Sequence, residues 1–108
     1  MSKTIKIALK DDFRKYSISD GFFENRLIER DLNGDDLFTS AVSKSKPYRG
    51  AIADCCRWLI LFPHLVEGDI TISPTEKKEM LKIANSIYQS IGEEPVDVAD
   101  KPIVYIES

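Results

Sequence analysis

Most of the features that mark a specific chemistry are missing from this sequence. It has no long apolar run: the most apolar stretch, residues 51–66, is interrupted by Asp54, Arg57, Pro63 and His64. A membrane span needs about 20 apolar residues, so none is expected. There is no CxxC, and the single histidine, His64, leaves no tetrahedral zinc set. The two cysteines, Cys55 and Cys56, are neighbours. On a helix their side chains point about 100° apart, which excludes an unstrained disulfide. They read as reduced, buried thiols; a reactive thiol needs a pKa-lowering neighbour that the sequence does not identify. A P-loop, GxGxxG, GxSxG and HExxH are all absent, so no cofactor or metal is expected. Nor is there a basic excess: 15 Lys and Arg face 18 Asp and Glu, for a net charge of −3. Phosphate neutralisation supplies most of the affinity of a simple nucleic-acid binder, so that class is disfavoured. Residues 1–10 carry no apolar core of signal-peptide type, and the expected location is cytoplasmic.

What is present describes an ordinary globular domain. With 108 residues, 43% of them hydrophobic and 31% charged, one domain over residues 1–108 is expected. A chain of this size can bury about two thirds of its unfolded surface. The charge is unevenly spread: residues 3–15 hold five basic and two acidic groups, whereas residues 93–108 hold five acidic groups and one Lys.

Residues 3–9 alternate, with Ile5, Ile7 and Leu9 on one side, which predicts a half-buried strand. Residues 13–18 keep no single period and fit either a returning strand or a short helix. Residues 22–32 predict a helix bearing Phe23, Leu27 and Ile28, capped by Ser19 or Asp20 and ended by Asn33-Gly34. Leu37, Phe38, Ala41 and Val42 form one face of a short helix. Pro47 suits the first turn of a nearly all-apolar, buried helix over residues 48–62, which Pro63 stops. Its polar stripe is Gly50, Asp54 and Arg57, and Asp54 can pair with Arg57 three residues on. Residues 69–73 read as a short strand. Ser73-Pro74-Thr75-Glu76 is a capping box opening a helix that buries Met80, Ile83, Ala84, Ile87, Tyr88 and Ile91 and stops at Gly92. After an acidic linker, residues 103–106 predict a last strand. The expected fold class is therefore α+β, mainly helical, with about four helices and a small sheet formed by the N- and C-terminal strands. The alternative is a helical bundle with a marginal two-stranded ribbon.

The candidate chemical features are sparse. Placing Gly34 sixth in a calcium loop puts Ser40 at the twelfth position, where a bidentate Glu is required. The Asp- and Asn-rich segment therefore reads as a turn. A Cys–His pair of Cys55 or Cys56 with His64 would need a shared pocket, whereas the cysteines sit in a core-like run, and enzymatic activity is not expected. Basic residues interleave with aromatics in residues 10–16 (Lys10, Phe13, Arg14, Lys15, Tyr16) and 44–49 (Lys44, Lys46, Tyr48, Arg49). They define the alternative of a nucleic-acid-associated regulator, weakened by Asp11 and Asp12. The favoured expectation is a small non-enzymatic domain that occludes a macromolecular partner, as inhibitors and immunity or anti-defence proteins do. Asp31, Asp35, Asp36, Glu93, Glu94 and Asp97 would steer another protein with a basic surface.

Overall fold

A computed structural model describes residues 3–96. Among these residues the chain forms five α-helices: α1 (Ile5–Asp12), α2 (Asp20–Glu29), α3 (Ser40–Lys44), α4 (Lys46–Leu61) and α5 (Pro74–Ser90). A 3-10 turn spans Pro63–Leu65, and two-residue strands β1 (Ser17–Ile18) and β2 (Gly68–Asp69) pair antiparallel. The mainly helical class stands, but the expected sheet of terminal strands does not form. Its N-terminal member is a helix, and its other member, residues 103–106, lies outside the described residues.

Ile5, Ala8, Leu9 and Phe13 are buried, a helical spacing, while Ile7 is 44% exposed. The alternation of Ile5, Ile7 and Leu9 hides this second pattern. Thr4 caps the helix by accepting from the Ile7 N–H through its Oγ1 at 3.3 Å. The α2–α3 connection satisfies two more donors of the first turn: Asp36 O accepts from Ile5 N–H at 2.9 Å and Gly34 O from Lys6 N–H at 3.0 Å. These bonds tie the loop to the first helix.

The helix α2 ends earlier than expected. Arg30 is its C-cap, and Asp31, not Asn33-Gly34, takes the left-handed conformation with φ of 60°. Leu32 N–H donates to Leu27 O and Asp31 N–H to Ile28 O, a Schellman ending. The buried face of α2 is Phe22, Phe23, Arg26 and Leu27, so Arg26 occupies core space while Ile28 faces solvent. Phe22 and Trp58 flank the Arg26 guanidinium, at 5.1 and 4.3 Å, and Glu29 accepts from its Nε and Nη2 at 3.0 and 3.1 Å. Aromatic faces and a bidentate carboxylate together make burial of this cation tolerable.

The central helix α4 forms as expected, capped by Ser45 with Pro47 in its first turn. It buries Tyr48, Ala51, Ala53, Cys55, Cys56 and Leu59, and its largest interface is with α5. Both halves of the predicted capping box are present on α5: Ser73 Oγ accepts from Glu76 N–H, and Glu76 accepts from Ser73 N–H. The buried stripe of α5 is Met80, Ala84, Ile87, Tyr88 and, at its end, Ile91, with Ile83 exposed. The strand expected over residues 69–73 is reduced to Gly68–Asp69. Gly68 has φ of 135°, and a Cβ there would lie 1.9 Å from Ser17 O, so only glycine lets the ribbon close.

Candidate protein-binding surface

The polar stripe of α4 anchors a cleft of ≈600 Å³, bordered by α2, α4, α5 and residues 93–96. Asp54 does not pair with Arg57. It accepts from Arg30 Nε and Nη2 at 2.8 and 3.0 Å and from the Tyr88 hydroxyl at 2.6 Å. The same Arg30 fork donates to Glu93, through Nη2 at 2.9 Å. Arg30 therefore clasps α2, α4 and the segment after α5. Close approach along Gly50 permits this, since a Cβ there would meet the Arg30 guanidinium carbon at 2.5 Å. Hydrogen bonds to Asp54 and Glu93 hold Arg30 firmly protonated. Its hydrogen bond to Glu93 pulls that carboxyl below the usual range. Desolvation, then the hydrogen bond to Asp54, pushes the Tyr88 phenol up. Glu93 and Glu94 line this cleft, so Glu93, expected as a contact residue, is already part of an internal ion pair. Val96 is fixed to Asn85 by two hydrogen bonds, of 2.6 and 3.2 Å. Asp97 lies outside the described residues.

The other three predicted acidic residues fall on the α2–α3 connection. Asp31 is the helix-ending residue, Asp35 N–H donates to Asn33 Oδ1 at 2.9 Å, and the Asp36 carbonyl caps α1. Their carboxylates make no ion pair among the described residues, whereas Lys6 pairs with Glu24, Lys10 with Asp20 and Lys3 with Asp11. Arg30 precedes Asp31 and holds Glu93, so it links the two acidic groups. Ile28, at 66%, and Leu37, at 55%, are exposed on either side of Asp31, Asp35 and Asp36 in the chain. Neither was expected at a surface. The sequence groups Ile28 with Phe23 and Leu27, and only the competing 22-23-26-27 spacing signals that it turns outward.

The remaining candidates are dispersed. Cys55 and Cys56 are buried, unpaired thiols, and desolvation pushes the Cys56 pKa to about 12 and that of Cys55 up as well. His64 sits exposed on the 3-10 turn beyond α4. Among the described residues, no three His, Cys, Asp or Glu side chains group to hold a metal ion. No described helix is long and apolar enough to cross a membrane. In the first basic cluster, Lys10 faces Asp20 and Lys15 faces Glu76, so part of its charge is neutralised internally. No protein-family model matches the chain, and no curated protein or solved structure gives a significant match.

Proposed function

We propose that this chain is a non-enzymatic binding domain that occludes another protein, in the manner of a small inhibitor or an immunity or anti-defence protein. One observation carries the reading: Asp31, Asp35 and Asp36, which form no ion pair among the described residues, lie on a single connection between the exposed aliphatic side chains of Ile28 and Leu37. Exposed apolar side chains provide desolvation energy, and surrounding carboxylates steer a basic partner and set its orientation. The thiols are withdrawn into the core, which removes the most nucleophilic side chains from the surface. The paired lysines of residues 10–16 make the nucleic-acid alternative the weaker reading.

Affinity capture on the immobilised full chain, from an extract of its source cells, tests the proposal. The captured protein is then purified and titrated against the chain. A stoichiometric complex is expected, weakened by salt and by combined Asp31→Asn, Asp35→Asn and Asp36→Asn substitution. A complex indifferent to both, or salt-sensitive retention on heparin in place of any protein partner, would overturn it.

A further inference from the structure

Beside the acidic connection lies a shallow hollow of ≈340 Å³, between α1, the end of α2 and the loop that caps α1. Its apolar surface comes from Ile28 and Leu32, and Lys6, Glu24, Asn33, Gly34 and Asp35 complete the lining. Ile28 is 66% exposed, the most open large hydrophobic side chain among the described residues. The volume is that of one side chain and its surroundings, too small for an inserted helix. The two carboxylates of the lining, Glu24 and Asp35, outnumber its one cation, Lys6, which pairs with Glu24 at 2.9 Å, and Asp35 makes no ion pair among the described residues. Asp36 follows it in the chain, and Asp31 lies three residues after Ile28. The hollow is also a firm feature, because the loop that walls it supplies the backbone acceptors for the first turn of α1.

We propose that this hollow is the anchor point of the binding surface, taking one apolar side chain from a basic protein segment while an adjacent Lys or Arg of that segment meets Asp35. The proposal rests on the reading of the chain as a protein-binding domain and adds the anchor and the partner's chemistry. An aliphatic or aromatic side chain in the hollow covers Ile28 and Leu32, which is where the apolar gain arises. The cation supplies charge complementarity at the rim, where it remains hydrated and serves orientation and on-rate. A second copy of the chain is a poor occupant, since it would bring the same carboxylates against one another.

The test uses the full-length chain and a display library of linear 12-residue peptides. Enriched peptides are expected to share an apolar residue within two positions of Lys or Arg. One of them, synthesised and titrated, should shift the methyl resonances of Ile28 and Leu32. Ile28→Asp, at an exposed site and with unchanged circular dichroism, should weaken that peptide by about tenfold or more, the scale of burying an aliphatic side chain. Asp35→Asn should remove most of the salt dependence. Acidic or neutral consensus peptides, no enrichment over an unrelated control protein, or methyl shifts centred on Leu65 or Ile83 would overturn the proposal. So would a dimer in sedimentation that Ile28→Asp dissociates, which would assign the hollow to a second copy. A native partner that binds wild type and Ile28→Asp equally refutes this anchor while leaving the binding-domain reading intact. Failure to capture any native partner refutes that reading instead.

Discussion

Replacing Arg30 by methionine tests whether the clasp holds the helices together. The substitution keeps most of the apolar stem and removes the fork that donates to Asp54 at 2.8 and 3.0 Å. Asp54 keeps only the Tyr88 hydroxyl among its present donors. Removing one member of a fully buried ion pair costs about 3–5 kcal/mol. Here the two side chains retain 17% and 14% exposure, so some water reaches the carboxylate. The expected loss is therefore smaller, about 2–3 kcal/mol. The half of the clasp that reaches Glu93 is more exposed and contributes less than about 1 kcal/mol. Urea unfolding near neutral pH, followed by fluorescence of Trp58, the only tryptophan, measures the sum. Gly50→Ala should act through the same clasp, because its Cβ would displace the guanidinium, and its cost should not add to that of Arg30→Met. Pairing Arg30→Met with Asp54→Leu should recover much of the loss, since no carboxylate is then stranded. A loss below about 0.5 kcal/mol for Arg30→Met would place the pair among surface ion pairs of negligible worth and refute the reasoning.

Three further outcomes are expected. A thiol reagent at about pH 8 should label the folded protein no faster than it unfolds, and both cysteines should react at once in denaturant, because burial raises both thiols. The same raised pKa values place stability fully below the unfolded thiol pKa of about 8.5 and remove it as pH rises toward about 12. At the acid end the sign reverses. Lys15 first, then the Ser73 N–H and the Tyr16 hydroxyl, hold the Glu76 carboxyl at about 2. Its contribution is present above the unfolded carboxyl pKa of about 4.3 and fades as pH falls through that window, so Glu76→Gln should flatten the acid limb of the stability profile. Finally, Asp31→Gly should stabilise the fold by about 0.5–1 kcal/mol, because Asp31 occupies a left-handed C′ position that glycine adopts freely. Thermal unfolding reads that gain, and the same variant should bind the partner less tightly.

How much was legible in the sequence varied with the range of the interactions. The helices α4 and α5 were readable because their signals are local: Pro47 in a first turn, the reciprocal Ser73–Glu76 cap, and Gly92 with φ of 81° just past the end of α5. The first helix is ambiguous in sequence because residues 5–9 satisfy two periods at once. Only Phe13 and the cap at Thr4 separate them, and the loop carbonyls that complete the first turn come from residues 34 and 36. Arg26 concealed its burial, since the aromatic pair that shelters it comes half from α2 and half from α4. Arg30 reaches partners 24 and 63 residues away, a distance that no local pattern encodes. The acidic residues of the connection could be named from sequence as an exposed turn. Their apolar neighbour Ile28 could not, because it lies one step off the buried face of α2, next to fully buried Leu27.

The most direct measurement is amide hydrogen exchange on the chain alone and in complex with its native partner. The binding-surface account predicts that the partner slows exchange at the end of α2 and through residues 30–39, and leaves the exposed face of α5 unchanged. Protection confined to α5, or to residues 62–73, with none on the α2–α3 connection, would contradict it.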